Sequence, residues 1–193
     1  FEGGGVKCWG NAENGRLGYG NGVEGTLAAD DEPFVNLGRE VTASVVAAGG
    51  RSSCVILAGE AEGMVKCWGY GGDGATGYAT TEDVGVTDEP ADRDFVDIGG
   101  QATGISLGES HACAVLTDGD LTCWGSGADG RLGYGNIKTI GENEPPYLAG
   151  KVNLGGIKVA AVACGGAHTC AILMDGSLVC WGRGQEGQLG LGN

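Results

Sequence analysis

The stretch Cys113–Asn136 reads CAVLTDGDLTCWGSGADGRLGYGN: two apolar runs around a short turn, then Cys-Trp-Gly and a loop with regularly spaced glycines. Asp118-Gly119 lies between Ala114-Val115-Leu116 and Leu121-Thr122-Cys123. A loop Thr117-Asp118-Gly119 with Gly119 left-handed makes a type I turn with a G1 bulge. In that register Leu116 faces Asp120 as a hydrogen-bonded closing pair, and counting outward Cys113 faces Cys123. Pairs alternate along an antiparallel ladder, so Cys113–Cys123 falls at a non-hydrogen-bonded site, close enough for a cross-strand disulfide. The same count pairs Cys170 with Cys180 around Met174-Asp175-Gly176. Disulfides are therefore predicted for Cys54–Cys67, Cys113–Cys123 and Cys170–Cys180. The other reading of these positions is free thiols buried in a core.

The unit recurs along the chain. Cys-Trp-Gly stands at Cys8-Trp9-Gly10, Cys67-Trp68-Gly69, Cys123-Trp124-Gly125 and Cys180-Trp181-Gly182, with the tryptophans 59, 56 and 57 residues apart. Glycines follow at fixed offsets: Gly15 and Gly18, Gly74 and Gly77, Gly130 and Gly133, Gly187 and Gly190. A Glu-Pro recurs at Glu32-Pro33, Glu89-Pro90 and Glu144-Pro145, followed by Val35–Gly38, Val96–Gly99 and Val152–Gly155. The expected organisation is one continuous segment: 1–8 ends a preceding unit, 9–67, 68–123 and 124–180 are three repeats, and 181–193 starts another. The first loop carries an insertion, Val23–Ala29, and the Cys54–Cys67 hairpin is three residues longer than its siblings. Strands are predicted near 35–37, 41–47, 54–57 and 65–68, near 95–98, 103–107, 112–116 and 121–124, and near 152–154, 159–164, 169–173 and 178–181. Trp9, Trp68, Trp124 and Trp181 are expected in the core of each repeat. No segment holds a helical period.

Apolar residues make up 41% of the 193, enough for a core shared between stacked units, and with few aromatics that core should be mostly Val, Leu, Ile and Ala. No run approaches the ~18 apolar residues of a membrane helix, so no membrane insertion is expected. The formal charge of −14, with only 11 scattered Lys and Arg, argues against a nucleic-acid surface, which needs clustered cations. The acidity serves solubility, or else a basic partner or bound cations.

The segments AAVACGGAHTCAILMDGSLVCWGRGQEGQLGLGN and ISLGESHACAVLTDGDLTCWGSGADGRLGYGN resemble repeats of the regulator of chromosome condensation family. That resemblance implies an all-β fold, a partial β-propeller of antiparallel four-stranded blades taken from a ring of seven. It implies no single activity, because the family holds a nuclear exchange factor for a small GTPase, ubiquitin-ligase domains, a plant UV-B photoreceptor and a secreted β-lactamase inhibitor. Paired cysteines, acidity and the lack of a basic arm set this chain apart from the nuclear type. It is similar to the cysteine-bearing form found in secreted and cell-surface proteins. A photoreceptor would need clustered tryptophans flanked by arginines, whereas here each Trp occurs once per unit at one position.

Candidate chemistry meets a structural alternative at every site. His111 and His168 occupy equivalent positions two before a cysteine, where the first unit has Ser52. Residues that repeat with the fold are expected to be structural, here capping backbone groups at a strand start, and a disulfide sulfur is no nucleophile. Zinc needs ligands in a local cluster, and cysteines facing each other across hairpins fit disulfides better. The loop from Gly125 to Gly130 resembles a phosphate loop but leads to a strand, not a helix. Asp88, Glu89, Asp92 and Asp94 are the candidates for bound calcium, at a spacing that matches no known loop. Cys164 stands where siblings have Ala48 and Leu107, and reads as a buried thiol or an intermolecular bridge. The partner of Cys8 would lie upstream of this sequence. No Asn is followed by x-Ser/Thr, so no N-glycan acceptor is present.

The sequence thus leads us to expect a non-enzymatic extracellular or cell-surface propeller without cofactor, acting as a protein-interaction or structural module. Its partners would be a protein, a glycan, or further blades or copies of a longer chain or multi-copy assembly, since three blades cannot close a ring. An exchange-factor-like regulator of a small GTPase and a secreted enzyme inhibitor are the alternatives.

Overall fold

The computed structural model describes residues 3–20, 22, 25–28 and 33–192. Glu32 of the first Glu-Pro, part of the Val23–Ala29 insertion, and both chain ends (Phe1, Glu2 and Asn193) lie outside the described residues. A two-residue ribbon, β1 (Gly10–Asn11) with β2 (Thr26–Leu27), precedes three antiparallel three-stranded sheets. Sheet one is β3 (Thr42–Ala48), β4 (Ser52–Ala58) and β5 (Val65–Gly69). Sheet two is β6 (Ala102–Leu107), β7 (His111–Leu116) and β8 (Leu121–Gly125). Sheet three is β9 (Val159–Cys164), β10 (His168–Leu173) and β11 (Leu178–Gly182). Only short 3-10 turns accompany them; no α-helix occurs among the described residues.

The hairpin register follows from the Asp-Gly turn. Leu116 N–H donates to the Asp120 carbonyl (2.8 Å), Gly119 takes φ +80°, and Cys113 faces Cys123. The longer hairpin reaches the same register, because Ala58–Gly63 folds a 3-10 turn in the extra residues and Leu57 N–H donates to the Met64 carbonyl (2.9 Å). Disulfides join Cys54–Cys67, Cys113–Cys123 and Cys170–Cys180, each pair with Cα atoms 4.1 Å apart, while Cys8 and Cys164 are free.

Period-2 alternation decides which sheet covers which. Val55, Leu57 and Trp68 of sheet one pack toward Val6, Leu17 and Val35, while Ile56, Val65 and the Cys54–Cys67 bond share a core cluster with Ala112, Ala114 and Leu116 of sheet two. One step on, Val115, Leu121 and Cys113–Cys123 share it with Val159, Ala171 and Leu173 of sheet three. Every disulfide therefore lies on the face turned to the following unit. On sheet three that face is open: Leu178 is 66% exposed where its equivalent Leu121 is 1% exposed.

Three features differ from the sequence reading. First, each sheet has three continuous strands, and the expected fourth is reduced to a docked segment. Val35, Val96 and Val152 each donate one N–H to the outer strand of the preceding unit, at the Val6, Val65 and Leu121 carbonyls (2.8, 2.9 and 2.9 Å). A longer ladder is blocked because tyrosine hydroxyls occupy the next groups on those edges. Tyr19, Tyr78 and Tyr134 accept from the Cys8, Cys67 and Cys123 N–H groups at 3.0–3.1 Å. Tyr19 and Tyr134 also donate to the Cys8 and Cys123 carbonyls. Second, the sheets are offset from the sequence repeats, since each docked segment belongs to the next repeat. Third, Trp68 and Trp124 are fully buried, but Trp181 is half-buried and Trp9 is 62% exposed. Each Trp packs on the glycine loop of the preceding unit: a Cβ on Gly18, Gly77 or Gly133 would come within 2.8–2.9 Å of the Trp68, Trp124 or Trp181 ring. Among the described residues Trp9 has no such loop.

Candidate functional site

The histidines and the odd cysteine meet at the interface of sheets two and three. His111 opens β7, is 2% exposed, and its Nε2 lies 3.0 Å from Thr169 Oγ1 on β10. The Thr169 hydroxyl spends its one proton on the Arg131 carbonyl (2.8 Å), so it accepts from His111 Nε2–H. His111 Nδ1 is then an unprotonated lone pair, buried and without a hydrogen-bond partner. The ring fits because Gly108 has no Cβ, which would sit 2.3 Å from the imidazole. The ring thus ties one sheet to the next through Thr169 and does not cap a backbone group, as the sequence suggested. His168 lies in the same way against Gly165 in the neighbouring unit.

Cys164 ends β9, its N–H donating to Ser106 Oγ (2.9 Å) and its thiol to the Ser106 carbonyl (3.4 Å). Burial pushes that thiol up to about 11. One donor atom each from His111, Cys113 and Cys164 lie within 4.8 Å of one another, the only such group of three or more His, Cys, Asp or Glu among the described residues. As it stands the trio is no metal centre, because Cys113 is held in a disulfide and offers no thiolate.

Burial, with the Arg131 charge and His168 behind it, pushes the His111 imidazole down to about 4 from 6.5. The folded state then refuses a proton that the unfolded chain accepts, and stability falls as pH drops through that window. The loss should reach on the order of 3 kcal/mol near pH 4. Urea titrations at pH 7 and pH 4.5 read it, and His111→Gln should flatten the dependence; an equal dependence in the variant would assign it elsewhere.

The calcium candidates are not gathered into a site. Asp88 accepts from the Gly85 N–H (3.1 Å) and pairs with Arg93 Nε (2.7 Å), and that carboxylate is the largest cause raising the Arg93 pKa. Asp92 accepts from the Glu89 N–H (2.9 Å), and Glu89 from the Asn36 amide (2.6 Å). Asp94 is exposed, and its charge, like that of Asp92, acts on the Lys66 ammonium. The sequence reading missed Arg93, which sits inside the acidic run, and Lys66, buried with its ammonium on the Pro90 carbonyl (2.6 Å) and lowered in pKa by that burial.

Two surfaces remain. A groove of about 320 Å3 opens between Lys7–Trp9 and Val46, Arg51 and Ser52, where no hairpin strand lies beside Lys7–Trp9 among the described residues. The outer rim is built of 3-10 turns that bridge units: Ala91 N–H donates to the Asn36 carbonyl (3.0 Å) and Tyr147 N–H to the Asp97 carbonyl (3.1 Å). It exposes Phe95, Tyr147 and Leu148 beside Asp92, Asp94 and Asp97.

Sequence profiles described as regulator of chromosome condensation (RCC1) repeat match residues 102–131 and 159–188, and a second such profile matches 118–172. The chain is 31% identical over 190 residues to the ultraviolet-B receptor UVR8 of Arabidopsis thaliana, covering 97% of this chain and 39% of the receptor. Among solved structures it is similar to human WBSCR16 (TM-score 0.74, 24% identity, 92% of this chain and 43% of that one). It is also similar to Prp20p of Saccharomyces cerevisiae, whose structure was described with its binding properties to Gsp1p and histones (TM-score 0.67, 21% identity, 96% and 43%). The chain spans less than half the length of each of these proteins.

Proposed function

The chain belongs to the RCC1-type repeat family, and from that premise we propose that it is a non-catalytic propeller segment of the extracellular or secretory space that presents its outer rim to a protein partner. The carrying observation is the rim itself. Phe95, Tyr147 and Leu148 offer apolar contact among the carboxylates of Asp92, Asp94 and Asp97, a surface suited to a basic segment. The Tyr147–Asp97 backbone bond puts the two groups side by side. His111 is spent on packing between sheets two and three, and His168 lies against Gly165 of its own unit, which supports a structural role for both rings. Three hairpin disulfides support an oxidising compartment. The binding described for Prp20p is a precedent for protein partners on this fold. The open face of sheet three, with the paired Leu178 and Ile172 exposed, supports cover by further blades or by further copies.

A fluorescent Lys/Arg-rich peptide should bind with strong salt dependence while a Glu-rich control does not. Phe95→Ala with Tyr147→Ala, or Asp94→Asn with Asp97→Asn, should weaken that binding at least about 10-fold. Equal binding by the variants would sink the rim as the recognition surface. Protein from its native source that carries all eight cysteines as thiols would sink the compartment.

A further inference from the structure

We propose that Cys164 is the nucleophile of an internal thiol–disulfide exchange that moves the Cys113–Cys123 bond from within the sheet-two hairpin to a bridge between sheets two and three, Cys113–Cys164. The thiol and the bond it attacks are in place, with a neutral ring beside them. Cys164 is a free thiol, Cys113–Cys123 is a disulfide, and His111 is a neutral imidazole, with one donor atom each from Cys164, Cys113 and His111 within 4.8 Å of one another. His111 Nδ1 is buried with nothing donating to it. The equivalent position in the preceding unit is Leu107, an apolar side chain in the same core cluster as Cys54–Cys67. Among the described residues a thiol replaces it at the interface of sheets two and three, where His111 stands at the equivalent of Ser52 and lies beside a disulfide.

The step balances without an outside oxidant. At alkaline pH the Cys164 thiol, which donates to the Ser106 carbonyl in the resting state, loses its proton to hydroxide, and the thiolate attacks Cys113 Sγ. The Cys164–Cys113 bond forms, the Cys113–Cys123 bond breaks, and its electron pair leaves with Cys123, which takes a proton from water. A bridge across 10 residues becomes one across 51, and two sheets held by packing become covalently joined. Attack falls on Cys113 because it is Cys113 Sγ that lies within this distance of the Cys164 thiol.

The oxidised protein is incubated at pH 8, quenched in acid, alkylated, and digested without reduction. The expected map holds two species: Cys113–Cys123 with alkylated Cys164, and Cys113–Cys164 with alkylated Cys123. Cys164→Ser should leave only the first. Cys123→Ser, treated with glutathione disulfide, should form Cys113–Cys164 while keeping the β-sheet circular dichroism of the parent. A map with Cys113–Cys123 alone in the parent, together with free Cys113 and Cys164 in a folded Cys123→Ser protein, would overturn the proposal.

Discussion

Reduction of the three hairpin disulfides is expected to cost about 6–9 kcal/mol of unfolding free energy, at ~2–3 kcal/mol for each short loop in the chain-entropy treatment. That is comparable with the whole stability of an ordinary domain, about 5–15 kcal/mol. For a chain of this size the melting temperature should fall by about 15–30 °C. The bonds close loops of separation 13, 10 and 10, so the three contributions should be similar. They should not be equally accessible. Cys54–Cys67 and Cys113–Cys123 are fully buried under the next sheet, whereas Cys170 and Cys180 are half-buried. A reductant added to the native protein should open Cys170–Cys180 first. Calorimetry with and without a phosphine reductant, and timed alkylation, measure the two effects. A fall below 5 °C would mean that packing alone holds these hairpins.

The second large effect concerns one tryptophan against another. Trp124→Ala should cost about 3–5 kcal/mol, the usual loss for a large aromatic cut from a core. It empties the space over Gly77 and Val96 and strands the Ala75 carbonyl that accepts from the indole (3.1 Å). Trp9→Ala, in the same motif, should stay within about 0.5 kcal/mol, because among the described residues that ring meets no glycine loop and is largely exposed. Denaturant titration of both variants decides the matter. Equal losses would show that the Trp environment is set by its own unit and not by the preceding one.

That contrast marks what a sequence motif can carry. The register of Cys113–Cys123 was legible because it depends on residues ten apart joined by a turn of known geometry. The glycine offsets were legible as a pattern, but their cause was not. Asn14, Asp73 and Asp129 are left-handed (φ 57–59°), and Gly18, Gly77 and Gly133 must yield to a tryptophan from the following unit. The identical Cys-Trp-Gly motif therefore takes a buried or an exposed state according to a neighbour some 50 residues away. Tyr19, Tyr78 and Tyr134 were overlooked although each stands ten residues after its tryptophan, because a recurring polar aromatic looks like ordinary core filling. Only the backbone positions of Cys8, Cys67 and Cys123 reveal what the hydroxyl is for. The contact that His111 makes was not legible, because its partner, Thr169, sits 58 residues on and in another sheet. The Arg93–Asp88 pair escaped for a simpler reason: a run of carboxylates draws the eye to cations from solution and away from the guanidinium five residues along.

The tyrosines on the outer strands bear on how such a protein survives being crowded. A sheet edge with free N–H and carbonyl groups is a template on which a second chain can lay a strand, and stacked copies of that event make fibrils. Here the edge of the Cys-Trp-Gly strand is consumed by one valine N–H from the docked segment, by a phenol that in two of the three units both accepts and donates, and by single reciprocal backbone pairs of Gly69 with Val84 and Gly125 with Ile140. A phenol can satisfy that edge but cannot extend it, since it brings no further backbone to continue the ladder. The shortened fourth strand is thus a stop written into each unit, and an array of near-identical units, which is the sequence type most prone to pairing with its own copies, is kept from zipping edge to edge along its rim.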